Sequence, residues 1–119
     1  MNSSILSDGG IDYECGLMRF QNDIQLYKSV LLNFLSDTSF SRAKDAFEKH
    51  DRAQLLEHSH ELKGVSGNLD LKSLYDASCK LVDFLRADCS DTQLIAAFSD
   101  FESAYTLTVE AICRAKEEQ

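Results

Sequence analysis

At 119 residues the chain has the length of one domain, with no room for a second, and it can bury a core without disulfides. Its 12 Lys and Arg against 20 Asp and Glu give a formal net charge of -8, which argues against a general nucleic-acid surface, because backbone phosphates call for clustered cations. Acidity alone is more often a solubility feature than a partner code. Proline is absent and Ala, Leu, Glu, Lys and Gln recur in helical runs, so an all-α fold is expected.

Residues 1–10 are polar and end in Gly9-Gly10; they are expected to be a mobile lead to a single helical domain over 11–116, with a frayed tail at 117–119. The lead has neither a basic start nor an apolar run, and no stretch approaches the roughly 18 uncharged apolar residues of a membrane span. The expectation is a cytoplasmic protein without membrane attachment. Cys15, Cys79, Cys89 and Cys113 form no C-x-x-C pair and no Cys/His grouping at zinc-site spacing. They read as small, mostly buried hydrophobes in a reducing compartment, although their even count permits two disulfides.

Asp12 can cap a short helix to about Phe20, with Glu14 in its first turn. Asn22 and Asp23 mark a turn and a new cap, and the next helix places Ile24, Tyr27, Leu31 and Phe34 on one face as far as about Leu35. Phe40, Ala43 and Phe47 carry a shorter helix that stops near His50. Asp51 then caps a helix from Arg52 to about Leu69. A further helix uses Leu71, Leu74, Ser78, Leu81 and Leu85 as its inner stripe. The last, from about Thr92 to Lys116, aligns Leu94, Phe98, Phe101, Tyr105, Thr108 and Ile112. Short connections favour antiparallel neighbours, so the later helices are expected to form an up-down-up-down four-helix bundle, with one or two additional N-terminal helices packed over one end. The seam is not a sustained heptad repeat, which favours a globular bundle over a coiled coil.

The segment His60-Glu61-Leu62-Lys63-Gly64-Val65-Ser66-Gly67-Asn68-Leu69 carries the functional signal. On a helical wheel Leu55, Ser59, Leu62, Ser66 and Leu69 fall within about 40° of one line, the buried stripe, and His60 lies about 140° from Leu55, away from the core. Each Gly costs roughly 0.5 to 1 kcal/mol relative to Ala inside a helix, so Gly64 and Gly67 call for a reason. Close approach by another molecule supplies one; fraying of the helix end, or approach of a neighbouring helix, supplies another. An exposed imidazole, a cation at i+3 and small residues at i+4 and i+7 together describe a surface for an anion carried by a bulky partner.

His60-x-Leu62-Lys63-Gly64 followed by Ser66, Asn68 and Leu69 resembles the signature of histidine-containing phosphotransfer (HPt) domains, the relay modules of two-component signalling. The likeness extends upstream through Ile11-Asp12-Tyr13-Glu14, Leu17, Asn22-Asp23, Leu26-Tyr27, Leu31 and Phe34, and downstream through Leu74, Ser78 and Leu81. Two positions depart from the family pattern: Asp70, where Gly is common, and Val82, where Glu is common. The resemblance implies a phosphorelay intermediate that accepts a phosphoryl group from a receiver-domain aspartate onto His60, through the Nε2 nitrogen, and passes it to another receiver.

An imidazole in water titrates near about 6.5, so a solvent-facing ring is largely neutral at neutral pH and can attack phosphorus without a strong base. Phosphoryl transfer depends on in-line placement and on charge stabilisation of the non-bridging oxygens, which Lys63 would supply from this side. Gly64 and Gly67 would keep the surface low for docking, and Leu56 would add an apolar contact or serve as a core-boundary residue. Ser66 and Asn68 are assigned to structure: Ser66 to a neighbouring helix or its own backbone, Asn68 to the turn beyond. The expected partners are response-regulator receiver domains or a hybrid sensor kinase. No cofactor is expected on this chain, the divalent metal belonging to the partner, and a monomer is expected. His58 and His50 are weaker candidates for the phosphoacceptor. Two rivals remain: an HPt-like docking module without transfer, and a metal-binding bundle built on the single Glu57-His58-Ser59-His60 element. No P-loop or other nucleotide motif appears, so no kinase activity of its own is expected.

Overall fold

Asp12, Asp23 and Asp51 each precede a helix and accept a hydrogen bond from a backbone N–H of its first turn, from Cys15 at 3.1 Å, Leu26 at 3.0 Å and Gln54 at 3.0 Å. Each satisfies an N–H that has no partner inside its helix. The computed structural model describes residues 1–117, which form seven helices and no strand. They are α1 (Ser3–Asp8), α2 (Tyr13–Arg19), α3 (Ile24–Phe34), α4 (Ser39–Glu48), α5 (Arg52–Asn68), α6 (Lys72–Arg86) and α7 (Asp91–Glu117). No helix among the described residues is long and apolar enough to cross a membrane.

The C-terminal ends of α4, α5 and α6 follow one pattern. After α5, Leu71 N–H bonds Ser66 C=O at 2.9 Å and Asp70 N–H reaches Gly67 C=O at 3.4 Å, with Asp70 in the left-handed region at φ 55°. This is the Schellman arrangement. The ends of α4 and α6 repeat it with His50 at φ 58° and Asp88 at φ 54°. Asp70 therefore adopts the conformation for which Gly is the usual residue, and the turn after Leu69 closes.

Helix α5 packs between α4 and α6, and α6 also packs on α7. Its buried line is the one the helical wheel places inward: Leu55, Ser59, Leu62 and Ser66 are each at most 1% exposed. Leu71, Leu74, Ser78, Leu81 and Leu85 form the corresponding buried line of the next segment, and Val82 is buried beside them. The Ser66, Ser78 and Thr108 hydroxyls donate to carbonyls of their own helices, Lys63 at 3.1 Å, Leu74 at 2.7 Å and Ala104 at 2.8 Å. Ser59 Oγ, equally buried, has no partner among the described residues.

The N-terminal segment clamps the turn between α5 and α6. Tyr27 Oη donates to Leu69 C=O at 2.8 Å, Asp12 N–H to Asp70 C=O at 2.9 Å, and Ser73 N–H to Gly10 C=O at 3.0 Å. Burial pushes the Tyr27 phenol well above its ordinary pKa, with Asp70 and Asp12 adding to the effect, so it stays a donor. Phe20 stacks on its ring, centroids 5.5 Å apart.

Several expectations are corrected. Residues 3–8 form α1 instead of a mobile lead: Asn2 caps it, Leu6 is fully buried, and the helix packs on α7. The apolar pair Ile5-Leu6 was too short to show a helical period. Ile24 is 52% exposed and not on the inner face, because α3 starts there and turns its interior side at Tyr27. Phe47 and Tyr105 are half-buried aromatics that stack at the α4–α7 boundary, on Phe98 and Phe40. None of the four cysteines is buried, and all are free. The expected frayed tail falls partly on residues 118–119, outside the described residues; Glu117 is the last residue of α7.

Replacing Tyr27 with Phe should cost about 1 to 2 kcal/mol, since it strips the Leu69 carbonyl of a buried donor. Ser59→Ala removes a hydroxyl that has no partner and should leave stability unchanged or raised. Urea unfolding of both variants checks the pair; equal losses would contradict the assignment.

Candidate functional site

His60 is exposed on α5, although its neighbour Ser59 and the nearby Leu62 are fully buried. The side chain therefore stands on the outer face of a helix whose rotation is fixed by its inner one. Beside it opens a cleft of about 560 Å³. Helix α5 contributes His60, Lys63, Gly64, Gly67 and Asn68; α6 contributes Lys72 and Tyr75; Asp12, Arg19 and Asp70 close the far end.

The two glycines have different surroundings. A Cβ built on Gly64 meets nothing within 4 Å, so that part of the helix lies open. One built on Gly67 comes within 3.0 and 3.1 Å of Cε1 and Cδ1 of Tyr75. Gly67 thus lets the ring of α6 lie against α5, and Tyr75, 37% exposed, forms a wall of the cleft. At Gly67 the reading that a neighbouring helix approaches is the one observed, while at Gly64 the helix surface is open.

Lys63 is half-buried, and its ammonium has no hydrogen bond or ion pair among the described residues. Arg19 is held by Asp70, Nε to Oδ2 at 2.8 Å and Nη2 to Oδ1 at 3.4 Å, and this hydrogen bond and charge raise the guanidinium pKa. The Cys15 backbone N–H holds the Asp12 carboxyl below its ordinary range. Lys72 reaches Asp76 at 3.3 Å in a solvent-exposed i,i+4 pair. Both cleft carboxylates are thus engaged within the chain, while Lys63 has no partner among the described residues.

Of the other sequence candidates, Ser66 and Asn68 also line the cleft and the rest fall elsewhere. Leu56, one turn before His60, is half-buried against the core and does not line the cleft. Ser66 bonds its own helix, at i-3. Asn68 is exposed at the cleft edge, and its side chain makes no hydrogen bond among the described residues, so it does not tie down the turn as expected. His58 faces another hollow, with Nδ1 2.9 Å from Glu61 Oε1, and His50 occupies the left-handed position after α4. No group of three or more His, Cys, Asp or Glu side chains converges in a metal-binding geometry among the described residues.

Arg19, Lys72, Tyr75, Asp12 and Asp70 were not legible as cleft residues. For Tyr75 a signal did exist: counting equal steps outward from Leu71 sets it opposite Gly67. Arg19 comes from a separate layer, and nothing local announces its approach.

Comparison with protein-family models, with curated proteins and with solved structures finds no match to this chain.

Gly64→Ala should stabilise the protein by about 0.5 to 1 kcal/mol, because the added methyl improves helix propensity and meets open space. Gly67→Ala should gain less, since the Tyr75 ring must shift. Thermal or urea unfolding distinguishes them, and equal gains would contradict the different surroundings described.

Proposed function

We propose that this chain is a phosphorelay intermediate of the HPt kind, in which His60 accepts a phosphoryl group from an aspartyl phosphate on a receiver domain and passes it to another receiver. The observation that carries the reading is the open helix face where an exposed imidazole stands beside an ammonium unpaired among the described residues and a bare glycine. The motif resemblance around His60, which rests on the same residues, points the same way. The finer architecture belongs to the same proposal: α4 to α7 as an antiparallel up-down-up-down bundle, with the N-terminal helices over one end.

In this mechanism a neutral ring nitrogen of His60, Nε2 by the resemblance, attacks phosphorus. The P–N bond forms as the P–O bond to the donor aspartate breaks, the carboxylate leaves, and the imidazole sheds its proton to solvent. Reversal onto a second receiver regenerates the free ring. Lys63 stabilises charge on the non-bridging oxygens, and its lack of a carboxylate partner among the described residues leaves the ammonium available for this role. Gly64 lets the donor surface come near enough for direct transfer. The receiver brings the acidic pocket and the divalent metal. The chain acts as a phosphocarrier, a monomer in the cytoplasm, and the receivers or a hybrid sensor kinase are its partners.

His60→Ala should abolish labelling by a phosphorylated receiver while circular dichroism shows unchanged helix content; acid-labile label persisting on that variant would refute the proposal. Lys63→Ala should slow transfer about tenfold to a hundredfold with little change in stability. An unchanged rate in stopped-flow or gel-based transfer assays would remove Lys63 from the mechanism.

A further inference from the structure

We infer that the end of the molecule where α4 leads into α5 and α7 begins docks a basic amphipathic segment of a partner protein. Its apolar side chains would enter two adjoining hollows, and its Lys or Arg side chains would meet the carboxylates around them. The inference stands apart from the relay reading. The larger hollow, about 580 Å³, has buried Ala46, Leu55 and Leu94 as its floor; the smaller, about 270 Å³, has Phe98. Phe47 and Ile95 line both, so the two make one continuous surface. Phe47 stacks on Phe98 with centroids 4.0 Å apart, which holds that wall in place. Ile95 is 60% exposed, and with Phe47 and the leucine floor it forms an apolar patch of the kind a partner covers.

The rim stays acidic after its own pairs are counted. Lys44 is held by Glu102 at 2.8 Å. Arg52 donates to Asp91 and to the Cys89 C=O, each at 2.8 Å, and lies 3.6 Å from Asp88. Lys49, next along the chain from Glu48, is taken up by Asp45 at 2.9 Å. Glu48 has no hydrogen bond or ion pair among the described residues, and Asp51 accepts the Gln54 N–H but has no cation on it. Glu48, Asp51, Asp88, Asp91 and Glu102 thus face only Lys44 and Arg52, and the sum remains negative even with His50 protonated. The N-termini of α5 and α7 and the C-termini of α4 and α6 meet here, so their dipoles offset one another.

That balance selects the occupant. A second copy of this chain brings the same acidic rim and a net charge of -8, and an anionic membrane is repelled on the same ground. A compact small molecule fills one hollow, whereas the shared ridge of Phe47 and Ile95 suits a segment long enough to place apolar side chains on both sides of it. The surface is also clear of His60, since Leu55 lies about 7.5 Å earlier on α5 and roughly 140° round its axis. A partner seated here leaves the imidazole face open.

The test titrates the full chain into a fluorescein-labelled synthetic helix of Leu and Lys, with all its leucines on one face, and reads fluorescence anisotropy. A scrambled peptide of the same composition should bind at least about tenfold more weakly, and a version with Glu for Lys should not bind. Ile95→Gln keeps a good helix former at an exposed position, so the fold is retained, and it should weaken binding about tenfold. Glu48→Gln should weaken it about threefold and lower its salt dependence. His60→Ala should bind as the wild type does. Absence of binding to the wild-type chain overturns the inference. Equal affinity for the scrambled peptide overturns it as diffuse charge attraction, and unchanged binding to Ile95→Gln, or loss in His60→Ala, does so by placing the peptide elsewhere. A dimer in sedimentation, or co-sedimentation with phosphatidylcholine vesicles, that Ile95→Gln abolishes would overturn it by assigning the face to a second copy or to a lipid surface.

Discussion

Burial of Leu55, Ser59, Leu62 and Ser66 along one line of α5 sets the rotation of that helix, and the rotation decides what His60 can meet. A turn of the helix by one residue, about 100°, would put the imidazole among apolar side chains and a leucine in solvent. The core therefore orients the site without touching it. Packing against α4 and α6 on either side holds the setting.

The far end of the same helix is held differently. Asp70 takes a left-handed backbone conformation that a side chain enters at some cost, and that side chain pairs with Arg19. The Asp70 carbonyl receives Asp12 N–H, and the Leu69 carbonyl receives Tyr27 Oη. A glycine there would close the turn equally well but would leave Arg19 without its carboxylate. Asp70, one of the two departures from the HPt pattern, is thus one of the residues that tie the N-terminal layer to the histidine helix, beside Tyr27. That layer also supplies the far end of the cleft, so fold and site share these contacts.

Legibility in the sequence followed the range of the interactions. Caps at Asp12, Asp23 and Asp51, the inner lines of α5 and α6, and the outward setting of His60 are local or periodic, and one sequence shows them. The features that were missed are long-range or too short to have a period. Helix α1 is one brief segment whose Leu6 finds its partners on α7, nearly a chain length away. Gly67 reads alone as cleared surface, and only the approach of Tyr75 shows it to be a seat for an aromatic ring. The cysteines looked like core by residue type, but each falls outside the inner stripes that leucine, alanine and phenylalanine fill.

On the relay proposal, phosphate resides on one solvent-facing imidazole, His60, set beside a lysine that pairs with nothing among the described residues. Site mapping by mass spectrometry, under conditions that preserve P–N bonds, on the wild-type chain after exposure to a phosphorylated receiver tests it most directly. A single modified residue, His60, is expected, with His50 and His58 unmodified; phosphate on either of those, or on none of the three, would overturn the relay proposal.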